Sequence, residues 1–301
     1  MKILKPIAVT PEKLISSTVP AQDYPLWSSS IAYLKGQRVQ LGTRVYESLQ
    51  SSNTGYLPTA DEAQTWWNDL GPSNRWAMFD GQIDTQTTAK DANAQIEVTL
   101  NLGRLDALAL VGVVAASVRV EVLESLANPV VVHVQTASLV YRNVSSWYEY
   151  FTRPLTTRNL VYFTGLPPFA GSLLRVSISG SQEVRCGALL AGMVSDVGRT
   201  RYGATVGIND YSRKVTNDFG ATTLVPRAWS KRGSFPVELS QYDLERVFEL
   251  LASLRGQAYL CVGIEVDGYS PAVIYGFTKD FSIDLALPKT NYCTLSIEGL
   301  I

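Results

Sequence analysis

One histidine, three cysteines and scattered carboxylates are the first candidates for nucleophilic, acid–base or metal chemistry in this 301-residue chain. His133 sits in Val130-Val131-Val132-His133-Val134, a strand-like apolar run with no serine or aspartate assigned to it by motif. A lone histidine excludes multi-histidine metal sites and leaves a Ser/His/Asp triad without its partners. Cys186, Cys261 and Cys293 are far apart, with neither a CxxC pair nor metal-ligand spacing. Reduced thiols buried in β cores are expected, because a free cysteine behaves as a small hydrophobe. The pairs Asp61/Glu62, Asp84/Asp91 and Asp210/Asp218 could serve glycoside hydrolysis. All lie in turn-rich polar sequence, where solvated loop acids are expected. Asn209-Asp210-Tyr211-Ser212 lacks Ca²⁺-loop spacing and reads as a turn. Asn143-Val144-Ser145 fits the glycosylation triplet without a secretory leader and is taken as chance. With no GxSxG, HExxH or P-loop present, the expectation is a chain with no catalytic residue, no metal and no cofactor.

What remains is aromatic. Trp27, Tyr33, Tyr46, Tyr56, Trp66 and Trp67 concentrate in residues 21–81, together with Tyr24, Trp76 and Phe79. Flat aromatic faces bind the apolar C–H side of sugar rings, and they also fill small cores. A stretch of this length is near the lower limit for a domain with its own core, so several of these rings must be buried. Trp66 and Trp67 are adjacent, and an extended chain points successive side chains to opposite faces. One ring is expected to pack with Tyr33 and Tyr46, the other to meet a partner.

The elements that must hold these residues are mostly strands. Arg38-Val39-Gln40-Leu41 and Arg44-Val45-Tyr46-Glu47 form a hairpin across Gly42-Thr43. Ile96-Glu97-Val98-Thr99-Leu100, Ser117-Val118-Arg119-Val120-Glu121-Val122 and Leu174-Arg175-Val176-Ser177-Ile178 alternate with period two, the mark of strands with one wet face. The continuous apolar runs 107–114 and 129–132 suit strands covered on both faces. One helix is expected over 239–254, capped by Ser240 with Asp243 three residues on and stopped by Gly256. Strands then follow at 258–266, 272–277, 281–285 and 293–297. The expected fold is mostly β: an extended arm over 1–20 punctuated by Pro6, Pro11 and Pro20; a small aromatic β module over 21–81; a jelly-roll-like β-sandwich over 82–196; and an antiparallel β domain with one helix over 197–301. An arm with three prolines is expected to lie on another chain.

The formal net charge of −1 argues against a nucleic-acid surface built on phosphate contacts. The longest apolar run, 105–118, contains Asp106 and is too short to span a bilayer, so no membrane insertion is expected. The start Met1-Lys2-Ile3-Leu4-Lys5-Pro6 carries no leader-like apolar run, and synthesis in a cytoplasm is expected.

The series Trp27, Tyr33, Gly36, Val39, Gly42, Tyr46, Gly55, Pro58 and Trp66 or Trp67 resembles the small chitin-binding type of carbohydrate-binding module over about 50 residues. That family stacks sugar on exposed tryptophans just beyond the return-strand tyrosine. This chain has Leu49-Gln50-Ser51 there, so the resemblance implies the scaffold without its sugar platform. The segment 105–122, Trp147-Tyr148-Glu149-Tyr150-Phe151, and the pair 174–178 and 184–190 are similar to galactose-binding-like jelly rolls. Gly198-Arg199-Thr200-Arg201-Tyr202-Gly203, Asp210-Tyr211-Ser212-Arg213-Lys214 and Tyr275-Gly276-Phe277 resemble tail-associated proteins of bacteriophages. Together these resemblances imply a non-enzymatic virion protein that connects parts of a phage tail, as a baseplate or fibre-attachment piece. Its partners would be other tail proteins and further copies of itself. The alternative they imply is receptor recognition through host-surface carbohydrate, with Trp27, Tyr33, Tyr46, Tyr56, Trp66 and Trp67 as binding residues.

Overall fold

Lys2–Pro6, the first strand of the computed structural model, lies in the middle of a ten-stranded antiparallel sheet. It pairs with Ala188–Asp196 on one side and Tyr259–Val262 on the other. The structure describes residues 1–60, 63–125, 129–141, 146–153, 156–216, 218–266, 268–285 and 290–300. About 50% of the chain is strand and 10% helical, so the chain is mostly β as expected.

The central place of Lys2–Pro6 corrects the expectation of an arm lying on another chain. Ile3 and Leu4 point to opposite faces of the sheet, and each is buried in a different apolar cluster. The prolines do not prevent this, because Pro6 is the last residue of its strand, Pro11 opens a turn, and Pro20 follows Leu14–Ser17, an edge strand paired with Gln95–Leu100.

From one edge, the large sheet runs Leu160–Thr164, Ala107–Val111, Ala188–Asp196, Lys2–Pro6, Tyr259–Val262, Val273–Asp284, Thr290–Gly299, Trp229–Ser240 and Arg199–Thr200. Thr205–Asp210 also pairs with Trp229–Ser240. A five-stranded sheet faces its first three strands. It is ordered Val131–Ser138, Ser117–Leu123, Leu173–Ser179, Gln95–Leu100, Leu14–Ser17. Ile96, Val98, Val120 and Val176 from this sheet meet Leu108, Leu110 and Leu189 from the other, which is the core of a sandwich. On the opposite side of the large sheet, Ala109, Val111 and Leu190 share a cluster with Leu260, Val262, Val273 and Tyr275, so the sheet curls on itself. Gly276 and Gly299 sit opposite each other in this curl, and a Cβ on Gly276 would collide with the Glu298 carbonyl. The ten-stranded sheet therefore crosses the expected division near residue 197.

Ala107–Val111 is buried on both faces as its apolar run implies. The run 129–132 is not: Val130, Val131 and Val132 are exposed, because Val131–Ser138 is the edge strand of the smaller sheet. The segments expected as separate strands over 272–277 and 281–285 form one strand, Val273–Asp284, with an irregularity between Thr278 and Asp280. The helix begins later than expected, since Leu239 and Ser240 finish the strand Trp229–Ser240. A 3-10 turn, Gln241–Asp243, leads into Leu244–Ser253, and the Ser240 hydroxyl accepts from the Tyr242 N–H. Val247 and Leu251 bury the inner face against Phe235, Tyr259 and Cys293.

Candidate functional site

The aromatic module is a three-stranded sheet, Arg38–Leu41, Arg44–Ser48 and Trp67–Pro72, whose first two strands form the expected hairpin at Gly42-Thr43. Its last residues belong elsewhere: Met78, in the 3-10 turn Ala77–Phe79, is buried in the sandwich core, and its N–H donates to the Thr87 hydroxyl. The expected boundary near 81 thus lies inside sandwich packing.

Tyr33, Val39, Tyr46 and Trp67 form the module's core, with Trp27, Leu41 and Trp66 packed against it. The edge of Tyr33 meets Trp67 at 5.3 Å between centroids, an aromatic geometry that adds to area burial. Both polar handles are used. The Tyr33 hydroxyl accepts from the Ser28 N–H at 2.7 Å, and the Trp67 indole N–H donates to the Tyr56 carbonyl at 2.8 Å. Burial, with Asp69 nearby, raises the Tyr46 hydroxyl above its ordinary pKa. Two buried amides tie the loops down. Gln40 accepts from the Asp23 N–H and donates to the Ala21 and Gly42 carbonyls, while Asn53 donates to the Ser48 hydroxyl and the Trp66 carbonyl.

Six rings were expected at one site, and the structure divides them. Tyr33, Tyr46 and Trp67 are buried and cannot present a face to a ligand. Trp27 is half-buried, and its indole N–H is withdrawn from solvent without a hydrogen bond. Tyr56 and Trp66 come together at the surface, stacked at 3.8 Å with planes 12° apart. The split between adjacent tryptophans arises because Trp66 ends the helical turn Ala63–Trp66 and Trp67 opens a strand. Leu49 and Leu57 are exposed in the same module, and the Leu49 N–H donates to the Trp66 carbonyl. The surface is a short apolar ledge around a closed aromatic pair.

Two larger aromatic and apolar surfaces lie elsewhere. The helix Trp147–Thr152 leaves Trp147, Tyr148 and Phe151 exposed at 80%, 77% and 78%. It is capped by Ser146, whose hydroxyl accepts from the Glu149 N–H. Its aromatic run was visible in the sequence, but the extent of its exposure was not. The hairpin Arg213–Thr216 with Thr222–Val225 has every strand residue exposed, including Val215, Leu224 and Val225. Sequence reading missed these strands, because polar and apolar residues in them alternate weakly.

Several of the remaining chemical candidates are accounted for locally. His133 lies on the edge strand, with its Nε2 3.0 Å from Gln135 Nε2. Cys186, Cys261 and Cys293 are free and buried. Asp210 accepts from the Ser212 N–H at 2.9 Å, and its hydrogen bonds to Ser212 lower its pKa, as suits a turn. Asp84 Oδ1 accepts from the Thr85 N–H. Asp61, Glu62 and the triplet Asn143-Val144-Ser145 lie outside the described residues. Among the described residues no helix is long and apolar enough to cross a membrane.

No protein-family model matches the chain. No curated protein matches it either. Among solved structures, it is similar to an F5/8 type C domain from Bacteroides fragilis, at 12% identity over 39% of this chain and 78% of that one, with a TM-score of 0.25. A superposition that loose carries no conclusion about what the chain binds.

Proposed function

We propose that the chain is a non-enzymatic structural component of a bacteriophage tail, acting by docking to other tail proteins and to copies of itself. The observation that carries this reading is the fully exposed hairpin Arg213–Thr216/Thr222–Val225. A two-stranded hairpin standing alone in water is marginally stable, and its exposed Val215, Leu224 and Val225 gain most when another protein covers them. The aromatic helix Trp147–Thr152 and the exposed valines of the edge strand Val131–Ser138 support the same reading. A near-neutral charge and the sequence resemblance of the last unit to tail-associated proteins agree with it.

The test is mass spectrometry of purified particles, made with the full chain or with residues 213–225 replaced by a short glycine-serine linker. The shortened chain should stay folded and be lost from the particles. Normal incorporation would dismiss the hairpin as a docking element, and absence of the full chain from particles would overturn the tail reading. A second reading, recognition of host-surface carbohydrate, draws on the stacked pair of exposed Tyr56 and half-buried Trp66. Binding of host polysaccharide that disappears in Tyr56→Ala would promote it.

A further inference from the structure

The curl of the large sheet brings its first strands opposite the strand Trp229–Ser240 and leaves a cavity of about 220 Å³ between them. Trp229 and Lys231 line one wall; Asn159 and Leu160 come from the opposite end of the sheet, with Val273 and Leu300 between. Trp229 and Lys231 are two residues apart on one strand, so both side chains leave the same face. Gly299 keeps the floor low, since a Cβ there would stand 2.9 Å from the Lys231 carbonyl.

Lys231 is unlike the paired lysines of this chain. Lys2, Lys90 and Lys279 each meet a glutamate. Lys231 is half-buried, and its Nζ donates to the Val273 carbonyl at 3.3 Å. No carboxylate among the described residues offsets its burial, and desolvation lowers its pKa from the ordinary lysine value. A cation withdrawn from water without a counter-charge is costly, and an incoming anion removes that cost. Beside it, Trp229 is 53% exposed. Asn159 adds an amide that can both donate and accept.

We propose that this cavity binds a carboxylated sugar ring of the uronic-acid type. The carboxylate meets Lys231, the C–H face lies on Trp229, and a ring hydroxyl meets Asn159. The cavity is below the range of about 300–1,000 Å³ typical of drug-sized ligands, which suits one ring rather than a long oligomer. A bare acidic side chain of a partner protein would use Lys231 but leave the aromatic face idle. The proposal does not depend on the tail reading.

The test is NMR titration of the full chain with sodium glucuronate and galacturonate, against glucose, galactose, acetate and N-acetylglutamate. Saturable binding of at least one uronate is expected, with the neutral sugars and the ring-free acids weaker by about tenfold or more. Lys231→Met should reduce uronate binding to the neutral-sugar level, and Trp229→Leu should weaken it by about tenfold. Circular dichroism checks both folds. Trp229→Leu, at an exposed ring, decides the matter if Lys231→Met misfolds. Absence of saturable uronate binding, equal binding of N-acetylglutamate, or unchanged binding in Trp229→Leu would each overturn the proposal.

Discussion

Tyr56 lies flat on Trp66, ring centroids 3.8 Å apart, while its own backbone carbonyl accepts the indole N–H of Trp67. One residue thus engages both adjacent tryptophans, one through its face and one through its main chain. The two rings should nevertheless differ sharply in energetic weight. Trp67→Ala removes a buried core ring and should cost about 3–5 kcal/mol. Trp66→Ala removes a half-buried ring and should cost less than half of that. Hydrogen exchange at the Arg38–Leu41 and Arg44–Ser48 amides would measure both effects locally. Equal losses would refute this division of roles.

The strand Lys2–Pro6 should be indispensable. Ile3→Ala and Leu4→Ala are each expected to destabilise the chain by about 2–5 kcal/mol, because each empties a site in a packed cluster. Thermal unfolding of the two variants would show it. An unchanged melting temperature in either would mean that the strand is an appendage.

Stability should decline in alkali. Burial pushes the Cys186 thiol up to about 12 from an ordinary 9.0, and Cys293 up to about 11. A raised pKa means that the folded state keeps a proton that the unfolded state releases. The contribution is therefore complete below pH 9 and is lost as pH rises through each folded value, from about 9 to 11 for Cys293 and on to about 12 for Cys186. Denaturant midpoints between pH 8 and 11 should fall, and Cys293→Ala should flatten the slope. The native thiols should also resist Ellman's reagent at pH 8 and react fully in guanidinium.

Much of the fold can be read from the chain, and the failures share one cause. Period-two alternation located Gln95–Leu100, Ser117–Leu123 and Leu173–Ser179, because each has one face in the sandwich core. The hairpin at Gly42-Thr43 followed from turn chemistry, and the burial of one of Trp66 and Trp67 followed from adjacency. Lys2–Pro6 was misread because its neighbours in the sheet lie about 190 and 260 residues away, and local pattern does not encode such pairing. Val130 to Val132 were misjudged for a related reason: an apolar run looks the same at a sheet's edge as at its centre. The Lys231 cavity had no sequence signal, since its walls meet only when the sheet curls.

His133→Ala should change stability by no more than about 0.5 kcal/mol and leave particle assembly intact. The residue sits on an edge strand, and its ring contact is with Gln135 two positions along. Loss of function in a folded His133→Ala variant would reopen the case for an enzyme.

The position of Lys2–Pro6 also sets a timetable for biosynthesis. This strand leaves the ribosome well ahead of its partners Ala188–Asp196 and Tyr259–Val262. At about 5–20 residues per second, Ile3 and Leu4 wait roughly ten to fifty seconds before the last partner emerges. During that interval the nascent chain carries an apolar strand with both edges bare, a template for wrong pairing. Occupancy by a chaperone during translation, and slow recovery of the large sheet after dilution from denaturant, are the expected marks of a sheet whose central strand is made long before its neighbours.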